Sequence, residues 1–318
     1  MMELANRTPS NFILIGIPGM EESQHWLAFP LCLLYIISLV GNCTILFIIR
    51  TERSLHTPMY CLLAMLALTD LGVALTTLPT VLSIFCFQAP EINIDACLVQ
   101  MFFIHCLPEM ESGVLLAMAF DRYMAICKPL RYTAILTNSV IANIGLVIFT
   151  RGICVVLPVP FLTTRFTYCK SHILSHSFCL HQDVIRLACA DIRVNSIYGM
   201  VIVILTWGVD SVFILFSYIM ILWAVLNIAT KDGRFKAFNT CISHICAVFM
   251  FYIPLISISV VHRVGKHHST LFPIMLANLY LLGPPVVNPV IYSIKTKQIR
   301  AWILRTFHRH RIRSEGHS

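Results

Sequence analysis

Ionisable side chains interrupt the apolar stretches of this chain, and they are the first residues in it that could do chemistry. Those inside the stretches are Asp70, Glu109, Glu111, Arg151, Asp210 and His244. Charged groups are costly to bury in an apolar medium, so they pair with each other or face a cavity that holds water or a ligand. For Arg151 and Asp210 both interpretations, a silent internal pair and a functional site, remain open.

Two of these acids could share a cation. Asp70 and Glu111 are predicted to lie at mid-depth, near Asn42 and Asn288. Neighbouring carboxylates repel each other unless a cation or a proton lies between them, and hard cations prefer oxygen ligands. We therefore predict a structural Na⁺ or a shared proton at Asp70 and Glu111, and no other metal or cofactor.

The run Asp121, Arg122 and Tyr123 could form an ion pair that opens and closes. It is predicted at the inner end of one helix, about 36 Å from Cys97 at 1.5 Å per residue. His105 lies about 25 Å above Arg122 by the same rise. A ligand near His105 would therefore signal through helix movement, which would open the ion pair and free Arg122 for a partner.

A proline-containing segment near the C-terminus could be a second part of this switch. Asn288, Pro289 and Tyr292 lie near the end of a long apolar stretch. Proline removes one helical hydrogen bond and favours a kink, and the Asn288 side chain can satisfy the freed backbone group. A purely structural kink would explain the same pattern.

The elements that carry these residues are predicted to be membrane-spanning helices. Of the 318 residues, 58% are hydrophobic and 12% charged, against about 45–50% and about 25% in soluble domains. Seven charge-poor windows each exceed the roughly 20 residues that cross a bilayer. They cover residues 26–49, 58–87, 96–120, 139–162, 195–226, 237–261 and 270–294. We predict an all-α membrane protein of one domain: an outer tail at 1–25, a seven-helix bundle at 26–294, and a short amphipathic cytosolic helix with a basic tail at 295–318.

The distribution of basic residues predicts the orientation. Of the 23 Lys and Arg, 15 fall on the side of the first loop and the C-terminus and seven on the opposite side. Basic loops stay in the cytosol, so the N-terminus is predicted outside the cell and the C-terminus inside. Asn6 then lies in an extracellular glycosylation sequon. The basic tail is expected to face anionic membrane lipid rather than nucleic acid.

Transport and catalysis are the competing functions. A transporter or channel would use the intramembrane charges, but transporters usually contain paired repeats with matching broken helices, and we see none. Neither an HExxH metal motif nor a GxSxG nucleophile motif occurs in the sequence. We predict a protein that is not an enzyme and keep a transporter or channel as the alternative.

Several short motifs occur in a fixed order along the chain. They are LHTPMY at 55–60, MAFDRYMAIC at 118–127, SY at 217–218, KAFNTC at 236–241 with Ser243 and His244, and PVIYS at 289–293. Together they resemble the odorant receptors among the rhodopsin-type G-protein-coupled receptors. Segments 177–183, 191–195 and 261–263 resemble the class I, or fish-like, branch of that family. The resemblance extends over nearly the whole chain.

The resemblance implies two disulfides on the outer side, Cys97 with Cys179 and Cys169 with Cys189. The residues alone leave all three pairings of these four cysteines open. It also implies an odorant-activated receptor in the plasma membrane that raises cAMP through a stimulatory, olfactory-type G protein, contacted by Arg122 and neighbouring inner helix ends. Cilia of olfactory neurons and a trafficking chaperone are further implications.

The resemblance places the ligand near the outer end of the sixth helix. Arg263 is expected to hold a carboxylate, with Ser259 one turn deeper and the switch residue Tyr252 further in on roughly the same face. His105 and Gln182 match other pocket positions of the family. The expected ligand is a small carboxylic acid or a related oxygenated odorant. Without the resemblance, Arg263 would be interpreted as an outer-loop charge that reaches water.

One residue departs from the family pattern. The branch usually carries small or apolar residues where this chain has Pro108 and Glu109, and Glu109 lies one helical turn from His105. If ionised, Glu109 would repel an anion or pair with His105 or Arg263; if buried, it could be neutral. Glu109 is therefore a candidate ligand contact that weakens the carboxylic-acid prediction without affecting the receptor prediction.

Overall fold

The structure, a computed structural model, describes residues 10–17, 24–169, 171–228, 230–264, 271–296 and 298–305. Within the helices it does not describe the side chains at 24, 25, 236, 240, 260 and 262–264. Asn6 and the basic tail beyond residue 305 lie outside the described residues.

Seven long helices run through the described part of the chain, and we number them spans one to seven. They are Gln24–Thr51, Pro58–Phe85, Ile94–Cys127, Asn138–Val156, Arg193–Leu226, Lys231–Val264 and Leu271–Lys295. Shorter helical segments are Arg53–Leu55, Pro129–Arg131, Tyr132–Ile135, Pro158–Thr163 and His181–Arg186. All seven spans include a segment long and apolar enough to cross a bilayer, where a helix satisfies its own backbone hydrogen bonds. The predicted all-α membrane bundle is confirmed.

Local sequence explains where several spans begin. Pro58 occupies the first turn of span two, where its missing N–H would have had no helical partner. The Asn93 side chain accepts a hydrogen bond from the N–H of Asp95 at 2.9 Å and so caps span three. Thr137 caps span four in the same way, from the N–H of Val140 at 3.4 Å. These caps satisfy backbone donors that the helices leave unpaired.

Span three is the central helix of the bundle. In its most apolar segment 61% of the residues are buried, against 17% for span four. Its buried residues include Glu109, Glu111 and Ser112. Because span three is surrounded by the other helices, these polar groups must find their partners on neighbouring spans.

Span five contains an irregular segment at the depth of these polar groups. Regular helix over Arg193–Ile202 gives way to a π-helical segment, Val203–Gly208, before α-helix resumes at Val209. Thr206 and Trp207 are buried in this segment. Such wider turns often occur at functional sites, because the inserted residue re-aims the side chains around it.

A small sheet lies over the end of the bundle that carries the loop between spans four and five. We call this the outer end of the bundle and the opposite end the inner end. Strand β1 (Asn11–Leu14) pairs antiparallel with β2 (Glu91–Asn93) and parallel with β3 (Ile173–Leu174). Phe12 is fully buried, and its ring packs edge-on against Tyr168 with the centroids 5.0 Å apart. The sequence analysis did not predict these strands. They tie the segment before span one to the loop between spans four and five.

A short helix at 298–305 follows span seven, as predicted. The ring of Trp302 packs edge-on against Phe47 of span one, with the centroids 5.9 Å apart. The Tyr60 hydroxyl of span two donates a hydrogen bond to the side-chain oxygen of Gln298 at 2.5 Å. These contacts hold the helix against the inner ends of spans one and two.

Candidate ligand pocket and switch residues

The outer loop between spans four and five is anchored covalently. Disulfides join Cys97 to Cys179 and Cys169 to Cys189, the pairs that the resemblance implied. The N–H of Cys179 also donates to the side-chain oxygen of Gln100 at 3.0 Å. The first disulfide and Gln100 together fix the middle of the loop to the outer end of span three.

A buried acid fixes the loop internally. Asp183 accepts hydrogen bonds from the N–H of Ser175 at 2.7 Å and from His176 Nδ1 at 3.0 Å. Burial opposes ionisation of Asp183, but the hydrogen bond and charge of His176 and the Ser175 N–H hold its pKa below the ordinary value. The loop therefore keeps a defined shape over the helices below it.

A cavity of about 100 Å³ lies beneath this loop, among spans three to seven. Its polar lining consists of His105, Glu109, His181, Gln182, Trp207, Ser259 and Tyr280, and its other residues are apolar apart from Gly199. Four of the predicted ligand residues therefore line one cavity: His105, Glu109, Gln182 and Ser259. Arg263 follows Ser259 by one turn in span six, but its side chain is not described.

The roof of the cavity contains two neighbouring histidines. His105 Nε2 accepts a hydrogen bond from the backbone N–H of His181 at 3.4 Å, and the two rings lie edge to face. Burial lowers the pKa of His181 to about 4. His181 is thus neutral at neutral pH and contributes no positive charge to the cavity.

Glu109 lies in an ion cluster that the sequence analysis did not predict. Its Oε1 is 3.1 Å from Arg151 Nη2, and its Oε2 accepts from the Thr206 hydroxyl at 2.9 Å. Arg151 also donates two hydrogen bonds to Asp210, at 2.8 and 2.7 Å. Arg151 and Asp210 thus form an internal pair, and the charged partner of Glu109 among the described side chains is Arg151 rather than His105.

Tyr252 lies below the cavity and joins the same cluster. The Ser112 hydroxyl donates to Asp210 Oδ2 at 2.7 Å and lies 2.8 Å from the Tyr252 hydroxyl. A hydrogen-bonded chain therefore runs from the cavity lining at Glu109 through Arg151 and Asp210 to span six. It gives a ligand in the cavity a physical route to the predicted switch residue.

Asp70 and Glu111 meet at Asn288. The Asn288 amide donates to Asp70 Oδ2 at 3.1 Å and to Glu111 Oε1 at 3.5 Å, and its own oxygen has no hydrogen-bond partner among the described residues. The two acids thus lie together as predicted. Asn42 does not join them, because its amide donates to the carbonyls of Ser38 and Pro285. Two neighbouring carboxylates fit the ligand preference of a hard cation, and the Asn288 amide turns its N–H donors toward them.

The inner end of span three carries the predicted ion pair. Arg122 Nε donates to Asp121 Oδ2 at 2.9 Å, and the Tyr132 hydroxyl donates to Asp121 Oδ1 at 2.7 Å. Asp121 and Arg122 are both buried, whereas Tyr123 is half-buried. A neighbouring contact joins the side chains of Tyr218 and His244 across spans five and six.

Pro289 and Tyr292 lie in span seven against the bundle. Pro289 packs on Gly41 of span one so closely that a Cβ at Gly41 would lie 2.8 Å from the proline ring. Tyr292 is almost completely buried. The small residue in span one is therefore what allows the proline-containing segment to pack there.

The sequence did not single out five polar residues of this site: Ser112, His181, Thr206, Trp207 and Tyr280. Trp207 and Tyr280 line the cavity, and Ser112 bridges Asp210 and Tyr252. Because Ser112 directly follows the buried acid Glu111 in the chain, its position could have marked it as a site residue. Trp207 and Tyr280 are large aromatic residues, and in apolar spans they resemble ordinary helix-packing residues.

The helix bundle, its roofed outer cavity and its inner Asp–Arg pair define a rhodopsin-type G-protein-coupled receptor. The solved structure of squid rhodopsin has the same fold, with a TM-score of 0.75 at 18% identity, covering 92% of this chain and 82% of that chain. The profile of the olfactory receptor family matches residues 31–310. The chain belongs to the olfactory receptor family.

Relatives match this chain over nearly their whole length. Human olfactory receptor 51G2 is 57% identical over 298 residues, covering 94% of this chain and 95% of the relative. Human olfactory receptor 51E1 is 54% identical, with 93% of each chain covered. Rat olfactory receptor 51E2 is 51% identical, with 96% of each covered. The protein is thus a multi-pass odorant receptor that couples to G proteins and not an enzyme, and the transporter or channel alternative finds no support.

Proposed function

We propose that a small oxygenated odorant, in the first place a carboxylic acid, binds in the outer cavity and activates a stimulatory, olfactory-type G protein that raises cAMP. The observation that carries this proposal is the cavity itself, which brings His105, Gln182 and Ser259 together beneath the anchored loop. Arg263 lies one turn outward of Ser259 on the same span.

The cavity suits a ligand with one polar group and a short apolar chain. Leu180, Ile202 and Leu255 are among the apolar residues that would bury the chain. Because His181 is neutral, the positive charge for a carboxylate would come from Arg263, whose guanidinium can donate two parallel hydrogen bonds.

Activation would use the hydrogen-bonded chain below the cavity. A ligand that shifts Glu109 or span six changes the contact between Ser112 and Tyr252, and movement of span six then reaches the inner ends of spans five and six. Opening of the Asp121–Arg122 pair there would free Arg122 for the G protein.

Replacing Arg263 with Ala tests the acid anchor. We expect the concentration for half-maximal cAMP response to carboxylic acids to rise at least about tenfold, because a charge-assisted hydrogen bond contributes about 1.5–3 kcal/mol. Arg165→Ala, an exposed outer-loop change, is the control and should leave responses unaltered. An undiminished acid response in a surface-expressed Arg263→Ala variant would contradict the anchor role.

We also propose a topology for the whole chain as one receptor domain. The N-terminus, with a glycan at Asn6, faces outward. The C-terminus and its basic tail face the cytosol, where the tail contacts anionic lipid rather than nucleic acid. The excess of Lys and Arg on the C-terminal side supports this orientation. We further propose that the receptor resides in olfactory cilia and that a trafficking chaperone helps it to reach the cell surface.

A structural Na⁺ between Asp70 and Glu111 is a further part of the proposal. We expect NaCl to raise the melting temperature of the purified receptor above that in choline chloride, because a ligand at ten times its Kd adds about 1.4 kcal/mol. Glu111→Gln should abolish the difference, whereas Glu91→Gln, at an exposed position, should retain it. Equal melting temperatures of the parent in both salts would favour the shared proton instead.

A further inference from the structure

Two residues that line the outer cavity, Trp207 and Tyr280, each have a buried polar atom that makes no hydrogen bond of normal geometry with the described residues: Nε1 of Trp207 and Oη of Tyr280. Glu109 lines the same cavity, and its Oε1 is ion-paired with Arg151. We call Glu109, Trp207 and Tyr280, from spans three, five and seven, the cavity floor. Buried polar groups are nearly always hydrogen-bonded, so two such atoms beside a carboxylate indicate a place for the polar group of a ligand.

The three side chains of the cavity floor lie close together. Thr206, next to Trp207 in the chain, donates to the other carboxylate oxygen of Glu109 at 2.9 Å. The rings of Trp207 and Tyr280 are edge to face, with centroids 6.3 Å apart. Trp207 and Tyr280 both lie within interaction range of the Glu109 carboxylate. The three side chains therefore surround one part of the cavity.

The hydrogen-bonding capacities of the cavity floor are mixed. A carboxylate oxygen of Glu109 accepts, the indole N–H of Trp207 only donates, and the Tyr280 hydroxyl does either. A ligand hydroxyl both donates and accepts, so it can satisfy all of them. A ligand ammonium could not accept from Trp207.

The local charge disfavours a carboxylate at this depth. Glu109 and Asp210 share the single guanidinium of Arg151, so the ionised cluster has one negative charge in excess. A ligand carboxylate would be repelled there and would fit better near Arg263. We therefore expect the cavity floor and Arg263 to bind different groups of the ligand.

We propose that the cavity floor binds a hydroxyl group, which donates to Glu109 and accepts from Trp207. This inference rests on the proposed function and narrows its ligand class to small aliphatic alcohols and to hydroxy acids whose carboxylate lies near Arg263. The small cavity, about 100 Å³, limits the ligand to a short chain.

Matched ligands test the hydroxyl requirement. The probes are primary alcohols from butanol to hexanol and their methyl ethers, which keep the oxygen acceptor but lack the donor. In cells that express the receptor with an olfactory G protein, we expect each active alcohol to be at least about tenfold more potent than its ether. The alcohol should likewise raise the melting temperature of the purified receptor more than its methyl ether does.

Conservative variants test the residues. Trp207→Phe, Tyr280→Phe and Glu109→Gln keep the approximate shape, and we expect each to reduce the alcohol-to-ether ratio to below about threefold. Trp223→Phe is the matched control, because Trp223 is 66% exposed on the same span and does not line the cavity. It should retain the parent ratio.

The outcomes separate this inference from the proposed function. Equal effects of alcohol and ether on the parent, in both assays, would overturn the hydroxyl site, and so would a ratio that survives all three cavity-floor variants. A response to acids alone would leave the proposed function intact and overturn the hydroxyl site. Alcohol-specific stabilisation without any cAMP response would support the site and contradict the proposed signalling.

Discussion

Replacement of Arg151 with Ala is expected to destabilise the receptor by about 3–5 kcal/mol, which is the typical effect of removing one partner from a buried ion pair. Glu109 and Asp210 are almost completely buried, and both depend on the one guanidinium. Without it, two carboxylates would remain close together in an apolar environment. We therefore expect little receptor at the cell surface and a lower melting temperature after purification.

A graded series of variants tests whether unpaired charge causes the destabilisation of the Arg151→Ala variant. Arg151→Lys keeps the charge but loses the two parallel hydrogen bonds to Asp210, so an intermediate loss is expected. The triple change Arg151→Met, Asp210→Asn and Glu109→Gln removes every charge of the cluster and should recover much of the stability. Arg165→Ala controls for loss of a surface arginine. Normal expression and stability of Arg151→Ala would show that the ion cluster is not structural.

The fold was predictable because the membrane restricts it so strongly. A bilayer requires long apolar helices, and the charge-poor windows of the sequence mark all seven. The ends of spans three and six differ more from prediction than those of the other spans. Span three continues to Cys127 and span six begins at Lys231, because charged residues are tolerated once a helix leaves the hydrocarbon. The position of the Asp121–Arg122 pair follows from helical rise alone.

The partners of the buried charges were not predictable in the same way. Glu109, Arg151 and Asp210 come from three different spans, and uniformly apolar helices provide no clear amphipathic pattern to show which face turns inward. The π-helical segment Val203–Gly208 also shifts the phase of span five immediately before Asp210. A regular repeat of 3.6 residues therefore gives the wrong direction for that carboxylate.

The strand β1 was missed for a different reason. Its four residues, Asn11–Leu14, are short, and their burial depends on pairing with Glu91–Asn93 and Ile173–Leu174, far away in the sequence. Strand formation of this kind is decided by tertiary contacts more than by local propensity.

Removal of the Cys97–Cys179 disulfide, by Ala at both positions, is expected to abolish odorant responses and to destabilise the receptor by about 2–5 kcal/mol. Cys179 directly precedes Leu180, His181 and Gln182, which line the cavity. Without the covalent link, this part of the loop is held to span three mainly by hydrogen bonds, each worth only about 0.5–1.5 kcal/mol. Ordering the loop would then reduce the net free energy of ligand binding, so the apparent affinity would fall.

The second disulfide provides the informative comparison. Cys169 and Cys189 are 20 residues apart and both lie in the loop, whereas Cys97 and Cys179 are 82 apart and join the loop to span three. Loss of the Cys169–Cys189 link should therefore reduce the response less than loss of the Cys97–Cys179 link. Cys154→Ala, at an exposed and unpaired cysteine, should change neither expression nor potency. If both disulfide variants reach the surface and respond equally, the loop is held in place by its noncovalent contacts, with Gln100 and the three-stranded sheet as the principal anchors.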